Sequence, residues 1–315
     1  MTNKKAYARA GVDVDLGNKL KRRIQSVVRR THGPEVLGKI GGFGGLFAPT
    51  FRGMREPVLV ASVDGVGTKL KIAFAANKHD TVGADLVNHC VNDIAVLGAR
   101  PLFFLDYIGA EKLEAQVFSE LLGGFSKACR NARCALIGGE TAQMPGMYHR
   151  GEYDLAGCIV GVVDRHKIID GSAIQTGDAV LGFPSNGLHT NGYSLARKIL
   201  FEKLNLKLSS RIPGVRGTVG EELLRVHKNY QPSLTNVPHG MIRGLAHITG
   251  GGLIDNIPRV LPKNCDAVID TRRWRVPEIF NFIGKSGKID REEMYQVFNM
   301  GIGMVAIVAE RDAKG

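Results

Sequence analysis

The sequence predicts an α/β fold (α+β layers) in two domains, each a mixed sheet covered by helices. Three observations predict it. At 315 residues the chain exceeds one ordinary core and suits two. Short apolar runs rich in β-branched residues alternate with longer amphipathic ones through both halves, the pattern of helices layered on sheets. Hydrophobic residues make up 44% and charged residues 23%, the balance of a globular chain and far from the disordered regime.

Residues 57–63 (Pro-Val-Leu-Val-Ala-Ser-Val) read as a strand that stops at Asp64 and a glycine turn. Residues 85–98 read as a helix with Leu86, Cys90, Ile94 and Leu97 on one stripe and Asp85, His89, Asn92 and Asp93 opposite, stopped by Gly98. A buried strand at 101–108, an amphipathic helix at 111–131 and a strand at 134–137 follow, the last running into Gly138-Gly139-Glu140-Thr141. Residues 153–163 are a further strand. The polar stretch 164–177 carries two turn signals and sets the boundary, giving domains 1–170 and 171–315. Beyond it the pattern predicts a strand at 179–183, a polar loop at 185–191, helices at 193–203 and 221–228, and strands at 267–269 and 304–308. His247 is expected at a helix end, entering a glycine turn at 249–252.

A formal charge of +12 points to anionic partners, either nucleic acid or phosphorylated small molecules. Much of it lies between Lys19 and Arg30 with no aromatic residues interleaved, which favours a solvated helix face over a nucleic-acid platform. The five cysteines have no Cys-x-x-Cys spacing, so neither a zinc site nor a disulfide frame is expected. With no long apolar run, the expectation is a reduced, cytoplasmic protein with no membrane span.

Chemistry concentrates where glycine brings backbone close to carboxylates. Asp64, Asp93 and Glu140 are hard oxygen ligands beside Gly65-Val-Gly67-Thr68-Lys69, Asn92 and Gly139, suited to a magnesium ion that leaves positions for phosphate oxygens. Lys69 is placed to neutralise phosphate, with backbone N–H groups near Gly65 and Gly67 turned the same way. The segment is not a Walker A loop, and an Asp-Gly-x-Gly turn is a plain tight turn about as often as a phosphate site. Gly42-Phe43-Gly44 has the composition of a mobile flap or of a flexible surface loop. Residues 185–192, with His189, Thr190 and Asn191, gather polar groups just before a helix, and His247 to Gly252, with Thr249, Gly250 and Gly251, offers backbone donors. Zinc-protease, nucleophile-elbow and dinucleotide fingerprints are absent.

Taken in order, Tyr7-x-x-Ala-Gly-Val-Asp-Val-Asp, Gly41-Gly-Phe-Gly-Gly, Asp64-Gly-Val-Gly-Thr-Lys, Cys90-Val-Asn-Asp, Gly138-Gly-Glu-Thr-Ala-Gln-Met-Pro-Gly-Met-Tyr, His189-Thr-Asn-Gly-Tyr-Ser and His247-Ile-Thr-Gly-Gly-Gly resemble the aminoimidazole ribonucleotide synthetase family over nearly the whole chain. The resemblance implies an N-terminal domain that forms a homodimer through a shared barrel, with ATP and magnesium in a cleft between the domains. It implies ATP-dependent ring closure of formylglycinamidine ribonucleotide to 5-aminoimidazole ribonucleotide in de novo purine biosynthesis, releasing ADP and phosphate. ATP would phosphorylate the formamide oxygen, and the amidine nitrogen of the same molecule would then displace phosphate. Carried over by residue, Asp64, Asp93 and Glu140 become metal ligands. Gly42, Phe43, Gly44, Asp64, Gly65, Gly67, Thr68, Lys69, Asp93, Gly139 and Glu140 become the nucleotide site. His189, Thr190, Asn191, His247, Thr249, Gly250 and Gly251 become the substrate side, and Asp64, Lys69 and His189 the catalytic set, with His189 as the base. Family members carry a further C-terminal segment, including another strand, so the second domain is expected to lack its last segment. Thiamine-monophosphate kinase and other relatives of the fold share the nucleotide loop but not the Met144 to Tyr148 segment.

Overall fold

The computed structural model describes residues 19, 25–37 and 44–314. Gly42 and Phe43, and most of the basic stretch after Lys19, lie outside the described residues. The first half builds a four-stranded sheet from β1 (Pro57–Gly65), β2 (Arg100–Ala110), β3 (Ala135–Gln143) and β4 (Tyr153–Asp164), in the order β1-β4-β2-β3. Only β2 and β3 run parallel. Three helices follow the pattern of the chain: α1 (Leu70–Ala76), α2 (Asp80–Ala95) and α3 (Ala115–Asn131). Helix α2 lies on β1 and β4, and α3 packs on α2 and β3.

The period of two in β1 sorts its side chains. Val58, Val60, Ser62 and Asp64 turn to the helices, while Leu59 (62% exposed) and Val63 (69% exposed) stand on the other face. On that second face Leu105 lies in the row of Val63, and Phe103 and Val160 lie in the row of Ala61, with the Phe47 ring 5.2 Å from that of Phe103.

Helix α2 begins at Asp80, earlier than its apolar stripe suggests, and it is buried on nearly every side. Gly83 makes this possible: a Cβ there would stand 2.5 Å from the Leu121 carbonyl of α3, so the two helices approach to backbone contact. The side expected to be polar, with Asp85, His89, Asn92 and Asp93, is largely buried, Asn88 with it, because the second half of the chain covers it.

The second half holds a three-stranded antiparallel sheet of β5 (Ala179–Pro184), β6 (Ile242–His247) and β7 (Ile302–Val308), in the order β5-β7-β6. The central strand β7 is buried throughout. Three expectations are corrected here. His247 ends a strand and not a helix; Arg243 and Gly244 disguise β6, whose last four residues are buried. Residues 267–269 form no strand, and Val268 is 90% exposed. The helix expected at 221–228 spans only Val219–Leu223, set by a capping box between Thr218 and Glu221. The chain then runs irregularly through His227, with consequences for the site.

Candidate active site

The site is the seam between α2 and the second half of the chain. Asp64 ends β1 with its side chain 41% exposed; its Oδ1 accepts from Gly65 N at 2.6 Å and its Oδ2 lies 2.7 Å from His89 Nε2. Asp93, one turn beyond His89 on α2 and 24% exposed, accepts from Ser62 Oγ at 3.1 Å and meets His247 Nδ1 at 2.8 Å and His89 Nε2 at 3.8 Å. Ligand atoms of His89, Asp93 and His247 all lie within 4.8 Å of one another. Burial alone would raise the Asp64 carboxyl, but the hydrogen bond and charge of His89 outweigh it and hold the group below its usual range. Burial opposes charge on His89, yet the Asp64 hydrogen bond and the two carboxylates raise it above an ordinary imidazole.

Behind this edge lies a second polar layer. Thr190 Oγ1 sits 2.8 Å from His89 Nδ1 and 3.2 Å from His227 Nδ1, and His227 Nε2 lies 3.0 Å from His247 Nε2. Carboxylates of the first half and imidazoles of the second are thereby joined in one network. His89 and His227 belong to this network and are not among the site residues that the sequence singles out. The signal for His89 was present as a second polar position one turn before Asp93. For His227 none was, since it follows a short helix in irregular chain.

Two expectations about catalytic residues are corrected. Lys69 does not face a phosphate: it is fully buried, and Nζ is committed to Asp85 Oδ2 at 2.8 Å, the His189 carbonyl at 3.0 Å and the Arg225 carbonyl at 2.6 Å. Burial lowers its pKa and raises that of Asp85. Thr68 likewise points across the seam, its Oγ1 2.9 Å from Ser194 Oγ. The Asp64 to Lys69 segment is therefore a carboxylate followed by a clamp. His189 is only 2% exposed, in the left-handed region at φ 62°, stacked on His227 with ring centroids 4.1 Å apart. Burial, with the nearby His247 and Lys69, drives its pKa well below the usual value, in keeping with a neutral, enclosed ring.

The carboxylate trio also divides. Cross-strand register puts Asp64 in a row with Gly157, Asp106 and Gly139, on the helix-covered face. Glu140 lies in the next row with Gly65, Ala156 and Tyr107, on the opposite face. Three strand spacings, about 14 Å, separate β1 from β3. Within one chain Glu140 joins no ion held by Asp64 and Asp93. Gly139 serves Asp106: a Cβ on it would lie 2.5 Å from Asp106 Oδ1. Burial, with the Glu140 charge, pushes Asp106 up to about 7.

On the substrate side the structure brings Asn191 to Gly250, with the Asn191 amide nitrogen 3.5 Å from where a Gly250 Cβ would stand. Asn191 Oδ1 is buried and has no hydrogen-bond partner among the described residues. The turn of Thr249, Gly250 and Gly251 is held from beneath by Asn256 Nδ2, which donates to the Gly250 and Gly252 carbonyls at 3.1 and 2.8 Å. Gly44 is exposed and contacts none of this cluster. A cavity of about 600 Å³ lined by Arg100, His166, Lys167 and Arg243 opens elsewhere and contains no predicted site residue.

This arrangement is that of a two-domain protein matched by two family models: AIR synthase related protein, N-terminal domain, over residues 51–163, and AIR synthase related protein, C-terminal domain, over residues 175–314. The phosphoribosylformylglycinamidine cyclo-ligase of Syntrophotalea carbinolica is 54% identical over 312 residues, covering 99% of this chain and 89% of that one. The chain belongs to the phosphoribosylformylglycinamidine cyclo-ligase family. Its fold is shared at low identity by a thiamine-monophosphate kinase from Stenotrophomonas maltophilia (TM-score 0.67, 18% identity, 92% of this chain and 86% of that one). It is shared also by the hydrogenase maturation protein HypE in complex with ATP (TM-score 0.57, 17% identity, 93% and 79%).

Proposed function

We propose that this chain closes the imidazole ring of 5-aminoimidazole ribonucleotide from formylglycinamidine ribonucleotide, using ATP and releasing ADP and phosphate. The observation that carries the reading is its near-full-length likeness to cyclo-ligases. In the reaction the formamide oxygen takes the γ-phosphoryl group, the amidine nitrogen attacks the same carbon, and the C–O bond breaks as phosphate leaves. Both reacting groups belong to one molecule, so holding it folded supplies much of the rate.

Asp64 and Asp93 fit a magnesium ion, which takes one or two protein carboxylates: both are part-exposed and adjacent, and each is oriented by an imidazole. Glu140 does not fit that set. Magnesium bound there would neutralise phosphate charge. The protein's own contribution is orientation: His89 and Ser62 fix the carboxylates, and the unpartnered Asn191 oxygen and the 249–251 turn receive the substrate. A homodimer through the sheet face opposite the helices completes the reading, since Leu59 and Val63 stand exposed there, apolar groups of the kind that mark association. No helix among the described residues is long and apolar enough to cross a membrane.

The test is ADP release by the purified chain with ATP and magnesium, with and without formylglycinamidine ribonucleotide. Release is expected to depend on that substrate, with 5-aminoimidazole ribonucleotide formed in equal amount; ADP release indifferent to it removes the proposal.

A further inference from the structure

The seam between the two halves has a second end. Asp164, where β4 stops, pairs with Pro57, seven rows along β1 from Asp64 and so about 23 Å away at the spacing of a strand. The cavity of about 600 Å³ opens at this end, with residues 95–100 and 162–173 on one side and 231–245 on the other. Small-molecule pockets span about 300 to 1,000 Å³, so its size suits a ligand.

Five basic side chains line the cavity: Arg100, His166, Lys167, His239 and Arg243. Only two carboxylates line it, and both are already engaged. Asp164 is buried and accepts from the backbone N–H groups of Arg55 at 2.8 Å and Glu56 at 3.0 Å, with His166 Nδ1 at 3.2 Å. Asp170 accepts from Ser172 N at 2.9 Å. Arg243 is held by Asp178, its Nη1 2.7 Å from Oδ1. Arg100 and Lys167 have no such counter-ion. Arg100 donates to the Thr50 carbonyl at 3.3 Å, and Lys167 has no hydrogen-bond or ion-pair partner among the described residues.

The backbone brings these two cations to one wall. Ile169 N donates to the Leu97 carbonyl at 3.3 Å, and a Cβ on Gly98 would stand 2.9 Å from the Lys167 carbonyl, so the stretch after β4 is laid against the turn that leads into Arg100. Cations with no carboxylate beside them leave their charge for an anion that enters. The second half supplies an apolar wall in Leu234, Val237 and Pro238, and the rings of His166 and His239 meet edge to face with centroids 5.6 Å apart.

We propose that this cavity binds a phosphorylated small molecule of mononucleotide size, with its phosphate at Arg100 and Lys167 and its apolar part against residues 234–238. A guanidinium and an ammonium together suit a phosphate, the first by paired hydrogen bonds and the second as a point charge. The site is separate from the reacting edge, and its binding does not depend on the cyclo-ligase reading.

Calorimetric titration of the intact chain with AMP tests it, with a non-hydrolysable ATP analogue and magnesium in excess to fill the nucleotide site of the reaction. AMP is expected to bind with a Kd below about 1 mM, and adenosine and inorganic phosphate each at least about tenfold more weakly. Arg100 and Lys167 are exposed, so charge reversal is compatible with the fold. Lys167→Glu and Arg100→Glu are each expected to weaken AMP at least about tenfold, with the kcat of ring closure within about twofold of wild type. Absence of AMP binding below that limit overturns the proposal, as does binding that both charge reversals leave intact. Adenosine or inorganic phosphate binding as tightly as AMP overturns it too, because the charge and the apolar wall would then not act on one molecule. A larger fall in kcat in either variant overturns the separation of this site from the reacting edge. Should ring-closing activity be absent altogether, the titrations still decide.

Discussion

The two faces of the four-stranded sheet invert the usual rule of burial. On the helix-covered side, polar groups are buried: Asp85, Asn88, His89 and Asn92 on α2, with Lys69 behind them. On the other side large apolar groups are exposed, Leu59 and Val63 foremost. A buried polar group and an exposed apolar patch are the informative departures in a soluble protein. The first is resolved within the chain, since each buried group meets a partner from the second half. The second is not resolved among the described residues, and that asymmetry separates an internal seam from the face proposed to pair with another copy.

The comparison breaks most readily at Lys69. Removing one member of a buried ion pair leaves the other uncompensated, so Lys69→Met is expected to cost about 3–5 kcal/mol in urea unfolding, and much of this should return in Lys69→Met combined with Asp85→Leu. No loss in the single variant would mean the seam is not held by charge. Next in size, Asp64→Asn should lower kcat at least about a hundredfold while the melting temperature stays within a few degrees, because the residue sits at the open edge of the seam. Full turnover would take Asp64 out of the chemistry.

Val63→Glu probes the opposite face. It should weaken self-association at least about tenfold, read by sedimentation velocity over a range of concentrations. An unchanged sedimentation profile would show that this face does not pair. The smallest effect concerns Asp106, whose carboxyl is pushed up to about 7 by burial and Glu140. A raised carboxyl pKa means the folded state binds the proton more tightly. Stability is then lost as pH climbs from the ordinary carboxyl range toward 7. Asp106→Asn should match wild type near pH 4 and melt several degrees higher at pH 8; equal melting at both values would mean Asp106 is not strained by its site.

What the sequence revealed follows from locality. Residues 57–63 and 153–163 were legible as strands because a β-branched apolar run is sufficient in itself, and Asp64 was legible because the glycine turn directly follows it. The α2 stripe of Leu86, Cys90 and Ile94 was legible for the same reason, but its opposite side read only as polar: nothing within the helix tells water from a distant buried histidine. Lys69 misled in the same way. A lysine after Gly-Val-Gly-Thr looks like a phosphate ligand, and only the carbonyls of His189 and Arg225, more than a hundred residues away, reveal it as a clamp. Glu140 was placed with Asp64 by motif, while strand order and pleat put them on opposite edges and faces.

The Lys69 clamp also bears on how the two halves come into being. Its ammonium is completed by carbonyls at 189 and 225, and Asp85 is completed by the amide of His227. Neither half alone can satisfy these groups without water. Severed in the turn between β4 and β5, the pieces would be expected to recognise each other and reassemble, and the intact protein to melt in a single transition.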